Sequence, residues 1–246
     1  MGMKQILVMM VAVVVVGCGE FREGFKKGVD RQKKAEEARA AAEKKAPETE
    51  KPPQQTKAKS DKLIADPIVE KAVRKELEKS EGELTEADLG KITVLALGHT
   101  QITDMGLKDV AKMQKLEKLD LTATQITDAG LKDVAKMQKL DGLCFDFTKI
   151  TDAGLKDVAK MQKLTLLFLT ATEITDAGLK DIAKLQKLTT LRLGGTKTTD
   201  AGLGFLSKMQ QLTYLDLTAT QITDAGAAEL QKALPKCKIL HSYKAD

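Results

Sequence analysis

An α/β solenoid, with parallel strands on one face and short helices on the other, is the fold that this chain of 246 residues predicts. Three observations predict it. A segment reading "ITDAGL", or close to it, starts at residues 102, 126, 150, 174, 198 and 222, always 24 apart. A fixed period in the twenties is the mark of stacked repeats. Within each unit the apolar pattern changes from strict alternation to a helical stripe, and at both ends of the array the pattern breaks as capping segments do.

The first element is an address. "MGMKQILVMMVAVVVVGCG" carries one lysine, then an apolar run from Ile6 to Val16, then Gly17 and Cys18. The run is about half the roughly 20 residues that a bilayer core requires, and has the length of a signal-peptide apolar region. "VVGC" at 15–18 resembles the lipobox of bacterial lipoproteins. That resemblance implies that residues 1–17 are a lipoprotein signal peptide and that Cys18 becomes the lipidated first residue, holding the protein to a membrane of the bacterial cell envelope. Gly19 stands where inner-membrane retention would place Asp, which points to the outer membrane. An ordinary secretory signal with a chance cysteine is the alternative.

Residues 18–62 then make a lipidated cysteine and a flexible charged tether. "RQKKAEEARAAAEKK" has no apolar stripe, and "APETEKPPQQTKAKSDK" is polar and contains prolines, a composition that cannot bury enough apolar surface to order itself. As a coil this segment spans roughly 35–40 Å. Of the formal net charge of +5, residues 1–17 supply +1 and residues 19–62 supply +4. Residues 63–246 carry no net charge, so the basic balance gives no argument for a nucleic-acid-binding domain.

A helical N-terminal cap is expected over residues 63–91. In "DPIVEKAVRKEL", Asp66 suits an N-cap and Pro67 the first helical position, with Ile68, Val69, Ala72, Val73 and Leu77 on one face. In "GELTEADLGKITVLAL", Thr85 suits the next N-cap, with Leu84 and Leu89 as a hydrophobic staple.

Six repeats fill residues 92–234. The unit from Leu116 reads "LEKLDLTATQITDAGLKDVAKMQK", with Leu116, Leu119, Leu121 and Thr124 at the spacing L-x-x-L-x-L-x-x-T. This resembles the leucine-rich repeat, in the ribonuclease-inhibitor-like or cysteine-containing subclass. The resemblance implies a right-handed curved stack with parallel strands on the concave face and short helices on the convex face. The residues alone point the same way. In "KLDLT", Leu119 and Leu121 face the stack while Lys118, Asp120 and Thr122 face away. In "DAGLKDVAKM", Leu131, Val134 and Ala135 form an inward stripe, and Lys132, Asp133, Lys136 and Lys139 stay in water. One unit cannot bury both faces, so the units must stack.

The recurrent hexapeptide is scaffold by this account. Ile126 plugs the core under the turn, Thr127 or Asp128 caps the helix, and Gly130 removes a side chain where strand and helix approach. Thr124 and its equivalents are placed to satisfy buried backbone groups of neighbouring turns. The six aspartates are occupied as caps and make no metal array. A C-terminal cap and tail occupy residues 235–246: Pro235 ends the last helix, and Ile239 falls 24 residues after Leu215.

Composition and motifs argue against catalysis. Two histidines, His99 and His241, lie far apart, His99 on a surface turn, and no nucleophile elbow, metal-binding helix motif, phosphate loop or paired Cys-x-x-Cys occurs. No cofactor is expected. The cysteine-containing subclass also occurs in ubiquitin-ligase adaptors, but no F-box precedes these repeats. Cys144 and Cys237 fall on strands four spacings apart, roughly 19 Å, beyond the reach of a disulfide, so both are expected to be free, with Cys237 a small buried hydrophobe.

The variation between copies points to a surface. "GLKDVAKMQKL" on the helix side occurs three times, whereas no two copies share the same set of outward strand residues. They include Asp120, Cys144, Asp146, Leu166, Phe168, Arg192, Tyr214 and Asp216. Aromatic residues and arginine are the types enriched at binding hot spots. These eight residues are therefore candidates for binding an unknown protein or peptide on the concave face, by a monomer that touches the membrane through its lipid. A structural envelope role, or a glycan or cell-wall ligand, is the alternative. Phe168, between the inward Leu167 and Leu169, is expected to be exposed, so that replacing it leaves stability nearly unchanged.

Overall fold

The computed structural model describes residues 62–241. The leader, Cys18 and nearly all of the tether lie outside the described residues. Among the described residues, no helix is long and apolar enough to cross a membrane.

Two short helices, α1 (Pro67–Glu76) and α2 (Glu86–Leu89), precede the repeats. The Asp66 carboxylate accepts from the backbone N–H groups of Ile68 and Val69, and Pro67 follows at the first helical position, where a missing N–H costs nothing. Thr85 and Asp88 close a reciprocal capping box on α2, with Leu84 and Leu89 buried around it. Hydrogen bonds from Lys79 and then Lys91 hold the Asp88 carboxyl well below the usual carboxylate range.

Strand and helix then alternate: β1 (Val94–Ala96), α3 (Asp104–Val110), β2 (Lys118–Asp120), α4 (Asp128–Val134), β3 (Gly142–Cys144), α5 (Asp152–Val158), β4 (Leu166–Phe168), α6 (Asp176–Ile182), β5 (Thr190–Arg192), a 3-10 turn (Asp200–Gly202) running into α7 (Leu203–Leu206), β6 (Tyr214–Asp216), α8 (Asp224–Ala233) and β7 (Lys238–Leu240). The seven strands form one parallel sheet in sequence order. Each pairs with the next at an offset of 24 residues, as in Leu119↔Leu143↔Leu167↔Leu191↔Leu215↔Ile239. The period of the sequence is thus the register of the sheet. Short parallel strands need a crossover connection, and each helix supplies it within one period.

A single apolar core runs between the sheet and the helices. The inward strand leucines, the Ile102 series under the turns and the stripe of Leu131 and Val134 with its equivalents are buried, apart from the partly buried Leu203. In the fifth repeat the series takes Thr198, fully buried, whose hydroxyl meets that of Thr196 at 3.2 Å. Cys144 and Cys237 are both buried, and burial pushes the Cys237 thiol up to about 11.

Three local expectations change. The threonines of the Thr124 series serve their own turn, not the neighbouring one: Thr124 Oγ1 donates to Leu121 O at 2.7 Å, and Thr148 Oγ1 to Phe145 O at 2.6 Å. A hydroxyl three residues past a carbonyl reaches it without crossing to another repeat. The aspartates of the hexapeptide do not cap their own helices. The Thr127 hydroxyl accepts from Ala129 N in α4, while the carboxylates of Asp104, Asp128, Asp152, Asp176 and Asp200 are held by the threonine of the following repeat. The recurrent glycine separates helix from helix, not strand from helix: a Cβ on Gly178 would lie 2.3 Å from Asp152 Oδ1 and 2.7 Å from Leu155 Cδ1, both in the preceding helix.

The array is closed at both ends by related contacts. At the first repeat, Asp109 Oδ2 accepts from Ala65 N and Asp66 N, both at 2.8 Å, and Lys112 Nζ donates to Leu63 O at 2.7 Å. Asp66 lies against Gly106 as Asp104 lies against Gly130, so α1 stands in for a preceding repeat. At the last repeat Asp224 has no following threonine and is 93% exposed; His241 Nδ1 lies 3.4 Å from its Oδ1, and His241 Nε2 is 2.9 Å from Ile222 O.

Candidate functional site

The outward face of the sheet is set by alternation. Leu167, Leu191 and Leu215 point into the core, so the residues on either side of each point away. The register brings Phe168, Arg192 and Asp216 into one row, and Leu166, Thr190 and Tyr214 into another, across β4, β5 and β6. Asp120 and Cys144 continue the first row onto β2 and β3. Asp146 follows two residues after Cys144, beyond the end of β3.

These positions are less solvated than alternation alone suggests. Arg192 is 3% exposed and Phe168 7%, and Cys144, Asp146 and Asp216 are buried as well. Leu166, Tyr214 and Asp120 are half-buried. The reason is lateral. Neighbouring strands stand about 4.8 Å apart, so large side chains in one row cover each other. The expectation that Phe168 is a solvated aromatic, replaceable at almost no cost to stability, is overturned by this packing.

The centre of the face is an aromatic–guanidinium stack. Arg192 Cζ lies 4.2 Å from the centroid of the Phe168 ring and 5.9 Å from that of Tyr214, within the range of cation–π attraction. Its Nε and Nη1 are buried and have no hydrogen-bond partner. The adjacent carboxylates are engaged elsewhere. Asp216 Oδ1 accepts from Thr218 N at 3.0 Å and from its hydroxyl at 2.7 Å. Asp146 Oδ1 accepts from Thr170 N at 2.6 Å. Burial pushes the Asp146 carboxyl up to about 6, against the opposing pull of the Thr170 hydrogen bonds and of the Arg192 charge. Toward the strand starts, Asp141 Oδ1 is also buried without a partner, and burial raises its carboxyl above the usual range.

The helix side is built differently. Asp133–Lys136, Asp157–Lys160 and Asp181–Lys184 repeat one ion pair three residues apart, at 2.5–2.6 Å, with the lysines well exposed. Pairs of this kind contribute little beyond solubility. Among the described residues no three His, Cys, Asp or Glu side chains converge as a metal site would require.

Two features were not read from the sequence. The turn after each of β1 to β6 holds a residue with positive φ: His99, Ala123, Phe147, Ala171, Gly195 and Ala219, at φ of 52–69°. Only one of the six is glycine, so composition gave no signal, although their 24-residue spacing does. The placement of His241 against Asp224 was also missed, because its partner belongs to the preceding turn.

The family model described as "Leucine Rich repeat" matches residues 112–135 and 208–230. No curated protein matches the chain. Among solved structures, the chain is similar to an internalin C2 of Listeria monocytogenes, at 22% identity and a TM-score of 0.47, over 73% of this chain and 94% of that one. It is similar to a leucine-rich-repeat protein of Leptospira interrogans at 24% identity and a TM-score of 0.49, over 62% of this chain and 38% of that one. A further internalin of Listeria monocytogenes matches at 19% identity and a TM-score of 0.37, over 73% and 76% of the two chains.

Proposed function

We propose that this leucine-rich-repeat solenoid is a non-catalytic interaction module, anchored to the bacterial envelope by a lipid on Cys18, that docks a protein or peptide partner on its concave strand face. One observation carries the docking surface. Leu166, Phe168, Arg192 and Tyr214, all chemically suited to contact, stand on three adjacent strands of the face that differs from copy to copy, while the helix side repeats one solubilising ion pair. The anchor rests on "VVGC" after an 11-residue apolar run. The tether between them lets the solenoid stand off the membrane by tens of ångströms.

Crosslinking mass spectrometry on intact cells, followed by capture with purified partner, tests the docking face. Leu166→Ala with Tyr214→Ala removes contact area from half-buried positions and should weaken capture by roughly thirtyfold, the scale of one hot-spot residue. Lys156→Ala with Lys180→Ala on the helix side should leave capture intact. The opposite pattern would assign binding to the helices. For the anchor, Cys18→Ser should abolish incorporation of radiolabelled fatty acid; full incorporation in the variant would remove the lipoprotein assignment.

A further inference from the structure

Resting on the strand face as a docking surface, we propose that its centre recognises a carboxylate: the partner presents an extended acidic segment whose carboxylate, from a side chain or from the chain terminus, completes Arg192, with a basic residue about four positions away over Asp120.

The unmatched group is the starting point. A guanidinium is charged at every pH a protein meets and offers five N–H donors and no acceptor. Burial of such donors without partners is costly, and nearly all buried polar groups in folded proteins have one. Here Nε and Nη1 of a side chain 3% exposed have none. The two carboxylates nearest in the face do not serve them. Asp216 holds Thr218, and Asp146 holds Thr170. Within the chain neither donor has an acceptor, and the proposal assigns that acceptor to the partner.

The surroundings select its chemistry. Arg192 Cζ lies 4.2 Å from the centroid of the Phe168 ring, and the fork of a guanidinium suits a planar, two-oxygen acceptor. Nε and Nη1 are buried in the free chain, so the partner must displace their cover as it docks. Asp146 and Asp216 flank the site, so an acceptor with one negative charge is repelled less than a doubly charged phosphate. A neutral glycan supplies no charge to match.

The row through Arg192 sets the rest of the footprint. Phe168, Cys144 and Asp120 follow it on successive strands, so Asp120 stands three strand spacings away, roughly 14 Å. An extended chain rises about 3.3 Å per residue, so four residues cover that span. The residues between lie over Cys144 and Phe168 and are apolar, and the one over Asp120 is basic.

The test follows the Arg192 Nε–H resonance of the full-length ¹⁵N-labelled chain in detergent micelles. The probe is the acetylated, amidated hexapeptide Lys-Val-Ala-Val-Asp-Val. It should shift that resonance saturably. Replacing its Asp by Asn should weaken binding by roughly tenfold or more, the step expected for loss of a charge-assisted pair, and replacing its Lys by Ala should weaken it severalfold. A shortened peptide with Val as a free C-terminal acid reports whether a chain terminus serves as well as a side chain; binding by either carboxylate form supports the proposal. Arg192→Lys should lose a comparable factor, and if that variant does not fold, the Asp-to-Asn comparison on the unmodified chain decides alone. Equal binding of the Asn peptide overturns the proposal. So does the absence of a saturable shift with both carboxylate forms, or a shift produced only by a neutral chito-oligosaccharide. Capture of the cellular partner that is lost with Leu166→Ala and Tyr214→Ala but indifferent to Arg192→Lys would leave the docking face standing and this proposal overturned.

Discussion

The Asp152 carboxylate grips both polar groups of Thr175 at once: Thr175 N donates to Oδ1 at 2.9 Å, and Thr175 Oγ1 donates to Oδ2 at 2.6 Å. The same pairing joins Asp104 to Thr127, Asp128 to Thr151, Asp176 to Thr199 and Asp200 to Thr223. Each threonine also caps its own helix. One carboxylate therefore fixes where the next helix begins, and the hexapeptide is a joint between repeats. The hydrogen bonds from Thr223 hold the Asp200 carboxyl below its ordinary value.

The joint should be measurable. Asp152→Ala leaves two donors of Thr175 without their acceptor and should cost about 1–3 kcal/mol. Asp224→Ala, at the 93% exposed end of the series, should cost less than about 0.5 kcal/mol. Urea unfolding of the two variants checks this; equal midpoints would show that the joints contribute nothing.

Glycine is required at the joint and nowhere near it. Gly178→Ala places a Cβ 2.3 Å from Asp152 Oδ1 and should destabilise by about 2 kcal/mol or more, because the helices must separate or the joint must break. Gly204→Ala, with nothing within 4 Å of its added carbon, should stabilise α7 by about 0.5–1 kcal/mol through helix propensity. Thermal unfolding should move the two midpoints in opposite directions.

The positive-φ turns give a second pair of opposite signs. Gly195 sits at φ 69° and Ala171 at φ 54° in equivalent turns. Gly195→Ala should cost about 1 kcal/mol, the strain of a Cβ in the left-handed region, since its contacts at 3.7–3.8 Å are ordinary. Ala171→Gly should recover up to a similar amount, less the backbone entropy of glycine. Denaturation midpoints of both, measured side by side, decide it.

Asp146 makes stability depend on pH. Its folded-state value is pushed up to about 6, above the unfolded value of about 3.9. Between those values the folded state keeps a proton that the unfolded state releases, so stability falls as pH rises through about 4 to 6 and stays lower above. Asp146→Asn removes the charge and keeps an oxygen for Thr170 N. The variant should therefore gain on the parent by about 1–3 kcal/mol between pH 4 and pH 7. Unfolding free energies of the two that run parallel across this range would refute it.

How much of this was legible in the sequence depends on which neighbour decides each feature. Leu119 and Leu143 pair at the offset the period states, because the repeat length and the register are the same number. Thr127 was legible as a cap because its partner is two residues away. Asp128 was assigned to its own helix because the group that holds it, Thr151, belongs to the next copy. On the strand face, the period places Phe168 beside Arg192 and both near Tyr214, but not the depth to which they cover one another. That depth depends on the size of three residues in three different repeats, and alternation within one strand carries no information about it.

The joint between Asp and Thr also has a direction. From the second copy to the fifth, the Thr donates to the Asp of the copy before and the Asp accepts from the Thr of the copy after, while Asp66 and His241 stand at the two ends of the series. A 24-residue block inserted between Asp152 and Thr175 brings one of each and closes both new junctions with groups it already carries. The protein can therefore lengthen in steps of about one strand spacing without redesign of its ends, and each added step widens the strand face by one new row of side chains. Growth by duplication is built into the junction chemistry, and recognition can be rewritten one rung at a time.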